Sequence, residues 1–146
     1  EEKIKESLLL GADYSINYKT MNFKDELKKI LKSLDRKGVE VVLDHVGGSV
    51  FEESLKCLSW GGRVVFCGAT SGSQVSIDLK PIFFKNISLF GSTMGGKQDL
   101  KSVINLVEKG QLEPRIDSVF KFKDYPQAVK KLESRNFFGK VVVSLD

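Results

Sequence analysis

Residues 39–48 (VEVVLDHVGG) and 62–72 (GRVVFCGATSG) decide the fold of this chain. Each is a run of β-branched and other apolar residues that stops at glycines, which is typical of a buried strand that ends in a turn. A helical pattern connects the two runs. Strand, glycine turn, helix and strand in that order predict a parallel βαβ unit, and ligands of such folds lie beyond the carboxyl ends of the strands.

Composition restricts the class of protein. The chain has 146 residues, enough for one domain with a core, and its 41% of apolar residues is ordinary for a globular protein. No apolar run approaches the roughly 20 residues that cross a bilayer, and the charged start lacks the apolar region of a signal peptide. The 23 basic residues outnumber the 19 acidic ones but are spread over helical faces, which indicates solvated surfaces with neither nucleic-acid nor membrane binding.

The cysteine and histidine content argues against a metal centre. Cys57 and Cys67 lack C-x-x-C spacing, and His45 is the single histidine, so the sequence does not supply the ligand set of a zinc site. The cysteine usage predicts a reducing, cytoplasmic location in which both thiols behave as small apolar side chains.

Hydrophobic spacing and capping residues predict the remaining elements. Helices are predicted at residues 1–10, after an N-cap at Asn22, after a capping pair at Ser49 and Glu52, at 99–109, and after a capping pair at Asp124 and Gln127. Strands are predicted at residues 14–18, 39–43, 63–67, 87–91, 119–122 and 140–145. Residues 69–76 are predicted to form a loop and residues 77–86 to be irregular.

Some predictions concern packing. Gly38 is expected to end the second helix, and the glycines at 61 and 62 to end the third. The nearly continuous apolar run at 39–43 indicates a strand covered on both faces. The helix at 99–109 is expected to turn its apolar residues inward: Leu100, Val103, Ile104 and Val107.

Three strand ends are marked by glycines, at residues 46–48, 68–72 and 91–96. Because the carboxyl ends of parallel strands share one edge, these turns are expected to converge and to present bare backbone groups to one ligand. For any single turn, a purely conformational role of glycine is the alternative. Asp44 could accept a hydrogen bond from a ribose hydroxyl or bond locally within the turn, which is the commoner role of such an aspartate. His45 could act as a general base or be an oriented turn residue.

Blocks at residues 10–18, 41–48, 54–72, 82–95 and 138–143 together resemble the medium-chain dehydrogenase/reductase superfamily, most of all its quinone oxidoreductase and zinc-type alcohol dehydrogenase-like branch. The resemblance implies an α/β fold, a three-layer Rossmann-type parallel sheet truncated at the N-terminus, with the first two strands and the glycine-rich loop absent. It implies that residues 1–118 form part of an NAD(P)-binding domain and that residues 119–146 return to the catalytic domain.

The activity implied by the resemblance is hydride transfer between a nicotinamide cofactor and a small-molecule carbonyl, alcohol or quinone substrate, the fragment by itself being inactive. No residue matches a catalytic residue or a zinc ligand, so zinc is expected only if the missing domain binds it. Lys3, Tyr18 and Arg135 match positions around the adenosine ribose or its 2′-phosphate. An extra phosphate suits a hydroxyl and two cations. Tyr18 and Arg135 favour NADP, whereas Lys3 does not discriminate because NAD-using relatives also have a lysine there, so NADP is expected, with NAD as the other possibility.

By the same resemblance, the remaining cofactor-binding positions follow the strand ends. Two of them are expected near the adenine ribose, Val46 and Gly47. The others are expected to flank the nicotinamide: Gly68, Ala69, Thr70, Ser71, Gly91, Ser92, Thr93 and Met94.

The resemblance also implies a homodimer in which the edge strand from Ile87 to Ser92 pairs with its twin. Two other functions stay open. One is a methyltransferase on a similar fold, whose diagnostic glycine loop would also lie upstream of residue 1. The other is a non-catalytic module that binds a cofactor or associates with itself.

Overall fold

The computed structural model describes residues 2–146, so the first residue of the helix predicted at 1–10 lies outside the described part. The chain divides into two compact units. The central unit comprises residues 12–94, and the terminal unit comprises residues 2–11 together with 95–146. The predicted domain boundary between residues 118 and 119 falls inside a strand, Ile116–Lys121. Which domain of a longer protein the last segment joins stays a prediction.

Two helices come first in the described chain, and strands and helices alternate from residue 39 onward. The helices are α1 (Glu2–Leu9), α2 (Phe23–Ser33), α3 (Gly48–Lys56), α4 (Leu79–Phe84), α5 (Lys97–Glu108) and α6 (Tyr125–Ser134). The strands are β1 (Val39–Asp44), β2 (Leu58–Phe66), β3 (Ser88–Gly91), β4 (Ile116–Lys121) and β5 (Lys140–Ser144). A short 3-10 turn, Phe122–Asp124, leads into α6.

The central unit contains a parallel sheet of three strands in the order β1-β2-β3. The register places Asp44 beside Phe66, and Phe66 beside Gly91. The three strands therefore end together, and the segments that follow them start from one rim of the sheet. The parallel α/β fold class and the common rim predicted from the sequence are confirmed.

The core of the central unit lies between α3 and the middle strand. Phe51 and Leu55 of α3 pack with Leu58 and Val64 of β2, both fully buried, and with Ile87. Full burial of such a side chain stabilises the fold by about 2 kcal/mol.

One face of β1 joins this core, but Val41 and Leu43 on the other face are 55% and 71% exposed. The prediction that β1 is covered on both faces is therefore wrong for the described residues.

The terminal unit is built on a parallel pair, β4 and β5, against which α6 packs, with Ala128 buried. The apolar residues that were expected to turn inward on α5 are exposed instead: Leu100, Val103, Ile104 and Val107. A helical stripe of apolar residues shows which face can be buried, but another element must cover that face. Within residues 2–146 none does, so that prediction is wrong.

Helix capping follows the sequence at one predicted site and departs from it at two. Asn22 caps α2 as predicted, because its Oδ1 accepts hydrogen bonds from the N–H groups of Lys24 and Asp25 at 3.0 and 3.3 Å. Ser49 is not an N-cap, because α3 starts at Gly48 and has Gly47 as its N-cap. Its predicted capping partner Glu52 instead accepts a hydrogen bond from the N–H of Ser76 at 2.8 Å.

At α6, the predicted capping pair of Asp124 and Gln127 does not form. The 3-10 turn runs directly into the helix and leaves Asp124 at φ −99° and ψ 15°, away from the extended conformation that directs an N-cap side chain back to the helix. Residues 77–86 are not wholly irregular, because Asp78 caps the short helix α4 through the N–H of Lys80 at 3.0 Å.

Glycine has a different role from the predicted one at residues 38, 61 and 62. α2 already ends at Ser33, whereas a Cβ atom on Gly38 would lie 2.7 Å from the backbone nitrogen of Ser59, so this glycine permits a close approach of two backbones. α3 ends at Lys56, and β2 then begins at Leu58 and runs through the two glycines at 61 and 62. The register between β1 and β2 shifts in this region, which accommodates them.

The strand predicted at residues 14–18 does not form a ladder with any described strand. The backbone carbonyl of Asn17 accepts hydrogen bonds from the N–H groups of Thr20 and Met21, and its side chain accepts one from Lys19. Local turn bonding by asparagine thus competes with strand pairing at the end of this segment. The prediction of a strand here is wrong.

Candidate functional site

The rim of the central sheet begins with Asp44 at the end of β1. This residue is 4% exposed, and its Oδ1 accepts hydrogen bonds from the backbone N–H groups of Val46 at 2.6 Å and Gly47 at 2.8 Å. Of the two roles open to Asp44, local turn bonding is the one seen. Its Oδ2 is buried and has no hydrogen-bond partner among the described residues.

The turn at 46–48 is bonded to the loop that follows β2. Gly48 N–H donates to the carbonyl oxygen of Gly72 at 3.0 Å, and Ser71 N–H donates to that of Val46 at 2.9 Å. The Ser71 hydroxyl also donates to the carbonyl oxygen of Gly47 at 2.9 Å. All three N–H groups of the turn therefore donate within the protein, and the expectation that this turn presents bare N–H groups is wrong. Contact of Val46 and Gly47 with a cofactor stays a prediction.

The rim glycines fall into two kinds. A Cβ on Gly47, which has φ +76°, would lie 2.8 Å from Ala69 Cα, and one on Gly68 would lie 2.5 Å from the carbonyl oxygen of His45. These two glycines are required because two loops touch there. At Gly91 the nearest atom to an added Cβ would be 3.7 Å away, in the ring of Phe66. Protein packing does not require glycine at 91, which favours an approach by something outside the described chain.

The remaining rim positions are exposed, small or neutral. Ala69, Thr70 and Ser92 are exposed, and the side chain of Met94 is 93% exposed. Among residues 2–146, the rim is uncharged apart from Asp44, whose carboxylate is buried beneath the turn. Exposed hydroxyls and backbone groups on a neutral rim suit an uncharged polar ring or carboxamide better than a phosphate. His45 is exposed and makes no side-chain hydrogen bond with a described residue, so nothing there orients it as a general base.

In the terminal unit, two predicted cofactor-binding residues come together. Lys3 Nζ of α1 donates a hydrogen bond to the backbone carbonyl of Arg135 at 2.9 Å. Arg135 ends α6 in the left-handed conformation, with φ 55°. Lys3 Nζ also lies 5.4 Å from the ring centre of Phe137, within the range of a cation–π contact. Tyr18, the third residue of that predicted group, belongs to the central unit and is 73% exposed.

Beside Lys3, the terminal unit contains a hollow of about 370 Å³. Its walls carry four cations and three acids: Lys3, Lys5, Arg115, Lys131, Glu2, Glu6 and Asp117. Arg115 pairs with Glu6 at 3.0 Å and Lys131 with Asp117 at 3.4 Å. The hydrogen bond from the N–H of Phe138 lowers the pKa of Asp117, and Lys131 lowers it further.

Sequence reasoning missed the hollow's Arg115, Asp117 and Lys131. Arg115 and Glu6 are 109 residues apart, so no local pattern marks them as partners. The pairing of β4 with β5 positions these residues: Lys140 N–H donates to the carbonyl of Arg115 at 2.9 Å, and Phe138 N–H donates to Asp117 Oδ1 at 2.9 Å.

Neither a metal centre nor a membrane span is found in the described residues. No three His, Cys, Asp or Glu side chains of residues 2–146 come close enough together to hold a metal ion. The residues present thus do not fit a zinc site. In the same range, every helix is too short or too polar to span a bilayer.

Comparison with known proteins gives consistent matches. The family model described as zinc-binding dehydrogenase matches residues 10–143. Quinone oxidoreductase-like protein 2 of Mus musculus is 33% identical over 99% of this chain and 43% of its own length. Acryloyl-coenzyme A reductase of Sulfurisphaera tokodaii is 33% identical over 98% of this chain and 40% of its own length. The crystal structure of an NAD-dependent alcohol dehydrogenase is 33% identical, with a TM-score of 0.84 over 99% of this chain and 41% of that one.

The chain thus spans about two fifths of the length of the proteins that it resembles.

Proposed function

Since this chain belongs to the zinc-binding dehydrogenase family, within the medium-chain dehydrogenase/reductase superfamily, we propose that it forms part of the NAD(P)-binding domain of an oxidoreductase. The proposed reaction is hydride transfer between the nicotinamide and a carbonyl, alcohol or quinone substrate. The observation that carries the proposal is the common rim of three parallel strands in a chain that matches this family over residues 10–143. The named relatives support an oxidoreductase over a methyltransferase.

The rim segments are proposed to hold the nicotinamide end of the cofactor. A bound nicotinamide supplies or accepts the hydride; the protein's part is to position its ring. Backbone groups at residues 68–71 and 91–94 are proposed to bind the carboxamide, because these positions are neutral and, apart from the half-buried Gly68, exposed. Neighbouring residues leave the space beside Gly91 empty, so the cofactor can approach its backbone closely. Asp44 holds the turn at 46–48 in place through two hydrogen bonds.

Arg135 is proposed to favour NADP, and Lys3 is proposed to contact the adenosine end of either cofactor. The hydrogen bond from Lys3 Nζ to the Arg135 carbonyl brings two cationic residues to one place, and a 2′-phosphate dianion is bound well by an arginine fork beside a second cation. For the central unit, the hydroxyl of Tyr18 is proposed separately to favour NADP. NAD is the alternative, and the similar NAD-dependent alcohol dehydrogenase favours it.

The chain by itself is proposed to be catalytically inactive, since no catalytic residue is assigned to it. No step is proposed through zinc, because the described residues do not fit a zinc site.

A homodimer is proposed through β3, which pairs with β2 on one side only and is an edge of the sheet. Leu89 and Phe90 on this strand are 39% and 48% exposed. A self-associating module without catalysis is the second candidate function that this edge supports.

A nuclear magnetic resonance titration of the chain tests the proposed sites. With amides assigned, nicotinamide mononucleotide is expected to shift signals at residues 68–71 and 91–94. The compound 2′,5′-ADP is expected to shift signals near Lys3 and Arg135 more than 5′-AMP does, because only it carries the 2′-phosphate. Equal shifts with both adenosine compounds would contradict the NADP preference. Shifts confined to other residues would contradict the proposed sites, and the absence of any shift would contradict nucleotide binding altogether.

A further inference from the structure

A basic groove lies in the central unit between α2 and the C-terminal end of α3. Four α2 residues, Lys24, Leu27, Lys28 and Leu31, share one face of the helix because they are spaced three, four and seven residues apart. With Lys37, Lys56 and Cys57 they line a hollow of about 310 Å³, which we call the lysine groove. The two leucines and the thiol are half-buried, while Lys28, Lys37 and Lys56 are exposed. The groove thus has an apolar floor with a cationic border.

The charges of the groove are only partly compensated. Lys24 and Lys56 share one carboxylate, that of Glu53. Among the described residues, no acid forms an ion pair with Lys28 or Lys37. Four ammonium groups against one carboxylate leave a clear positive excess, and such an excess attracts anions over roughly the 10 Å Debye length of dilute salt solutions.

The cationic surface continues past the groove. A second hollow of about 250 Å³ shares Lys28, Leu31 and Lys37 with the first and adds Lys32 and Arg36. Asp35 lies there too, and Arg36 pairs with Glu40 at 3.0 Å. Two adjoining hollows with common basic residues fit an extended anionic ligand better than a single small ion.

The charges of these lysines affect the pKa of the Cys57 thiol. Burial raises the pKa of Cys57, while the positive charges of Lys24, Lys28, Lys85 and Lys56 act in the opposite direction. The side chain donates a hydrogen bond to the carbonyl of Glu53 at 3.3 Å. Cys57 therefore lies within reach of any ligand that occupies the groove and reports its presence.

We propose that the lysine groove binds an acidic segment of a partner protein, with carboxylates against the lysines and one apolar side chain on the leucine floor. The charge complementarity and the apolar floor are the grounds for this occupant. A nucleic acid fits less well, because no aromatic side chain lines either hollow for base stacking. A bilayer fits less well, because the apolar residues lie below the lysines and do not project.

Fluorescence anisotropy with a labelled probe tests the proposal. The probe is a short peptide in which glutamates flank a central leucine, added to the intact chain. The double variant Lys28→Glu/Lys37→Glu is expected to bind it about tenfold more weakly, since two uncompensated charges are reversed. The matched control Lys101→Glu/Lys130→Glu changes the net charge equally at exposed sites in the terminal unit and is expected to bind within about twofold of the unchanged chain.

Comparison probes decide the nature of the occupant. Serine in place of the central leucine is expected to weaken binding, and glutamine in place of the glutamates to abolish it. Equal weakening in the two double variants, or equal binding of the serine peptide, would overturn the proposal. If an oligouridine binds more tightly than the acidic peptide, the ligand of the groove is a nucleic acid. If phosphatidylcholine vesicles containing phosphatidylserine bind more tightly than the peptide, it is a membrane. Either result would overturn the proposal.

A second readout uses the two cysteines. The acidic peptide is expected to slow alkylation of Cys57 by iodoacetamide and to leave alkylation of Cys67, which is exposed at the opposite end of β2, unchanged. Protection of both thiols, or of neither, at a peptide concentration that saturates the anisotropy signal would also overturn the proposal.

Discussion

The Oδ1 atom of Asp44 lies 2.8 Å from the backbone nitrogen of Gly47 and accepts its hydrogen bond. This contact fixes the turn after β1 against the buried end of the strand, and Val46 N–H donates to the same oxygen. This turn also holds the loop after β2, through hydrogen bonds with Ser71 and Gly72. One carboxylate thus organises two of the three rim segments.

Removal of that carboxylate is expected to destabilise the fold. Asp44→Ala loses two hydrogen bonds to a buried charged group and is expected to lower the free energy of unfolding by about 3 kcal/mol. Asp44→Asn keeps the accepting Oδ1 and is expected to cost about 1 kcal/mol. Urea denaturation measures both. The control Asp78→Ala removes one exposed N-cap bond, at a cost of about 1 kcal/mol. Equal effects of the two Asp44 substitutions would contradict the stabilising role of the hydrogen bonds to Oδ1.

Two rim glycines are expected to respond differently to alanine. Gly68→Ala places a Cβ 2.5 Å from the carbonyl oxygen of His45, so the loops must separate. A loss of about 3 kcal/mol in the free energy of unfolding is expected from this overpacking. Gly91→Ala meets its nearest neighbour at 3.7 Å and is expected to change stability by less than about 1 kcal/mol. If Gly91→Ala leaves the signal shifts caused by nicotinamide mononucleotide unaltered, ligand approach does not explain this glycine.

Asp117 is expected to make stability depend on pH in the acidic range. Its pKa is below the ordinary value of 3.8 in the folded chain, first because the N–H of Phe138 bonds to it. The unfolded chain therefore binds the proton more readily, so the stabilisation is present above about pH 4 and is lost as the pH falls through the folded pKa. The midpoint of thermal unfolding, followed from neutral to acidic pH, should fall less steeply in Asp117→Asn than in the unchanged chain. Asp13→Asn, an exposed acid-to-amide change, serves as control, and identical slopes in the two variants would contradict the prediction.

The edge strand β3 is expected to support a dimer. Leu89→Glu places a charge on this edge and is expected to convert a dimer to a monomer in size-exclusion chromatography with light scattering. Leu79→Glu, at a 70% exposed apolar position in α4, introduces the same charge away from the edge and is expected to leave the dimer intact. A dimer that persists in Leu89→Glu would count against pairing through this strand.

The chain alone is expected to bind NADPH only weakly. Its sequence contains no G-x-G-x-x-G, the loop that places a helix N-terminus at the pyrophosphate, so a major part of the usual affinity is not available from these residues. Isothermal titration calorimetry is expected to give a dissociation constant no tighter than the high-micromolar range. A low-micromolar value would refute this expectation.

Much of the local structure follows from the sequence alone. β-branched runs predict β1 and the second half of β2, and apolar spacing predicts α2 and α5, because such patterns report which conformation a segment favours. The N-cap at Asn22 is predicted because it needs only the two N–H groups that follow it. The capping pairs at 49/52 and 124/127 fail because Glu52 finds a distant N–H and Asp124 has unsuitable backbone angles.

The sequence by itself determined that strands and helices alternate from β1 onward and that glycines mark the strand ends, since both are properties of neighbouring residues. Only the tertiary structure decided what those glycines do. Gly47 and Gly68 are needed because two loops touch there, whereas protein packing does not require a glycine at 91. The N–H groups of the turn at 46–48 already donate hydrogen bonds within the protein. It also brought Lys3 to Arg135, 132 residues away. Contacts between distant residues depend on how the elements pack, and no local pattern of residues encodes them.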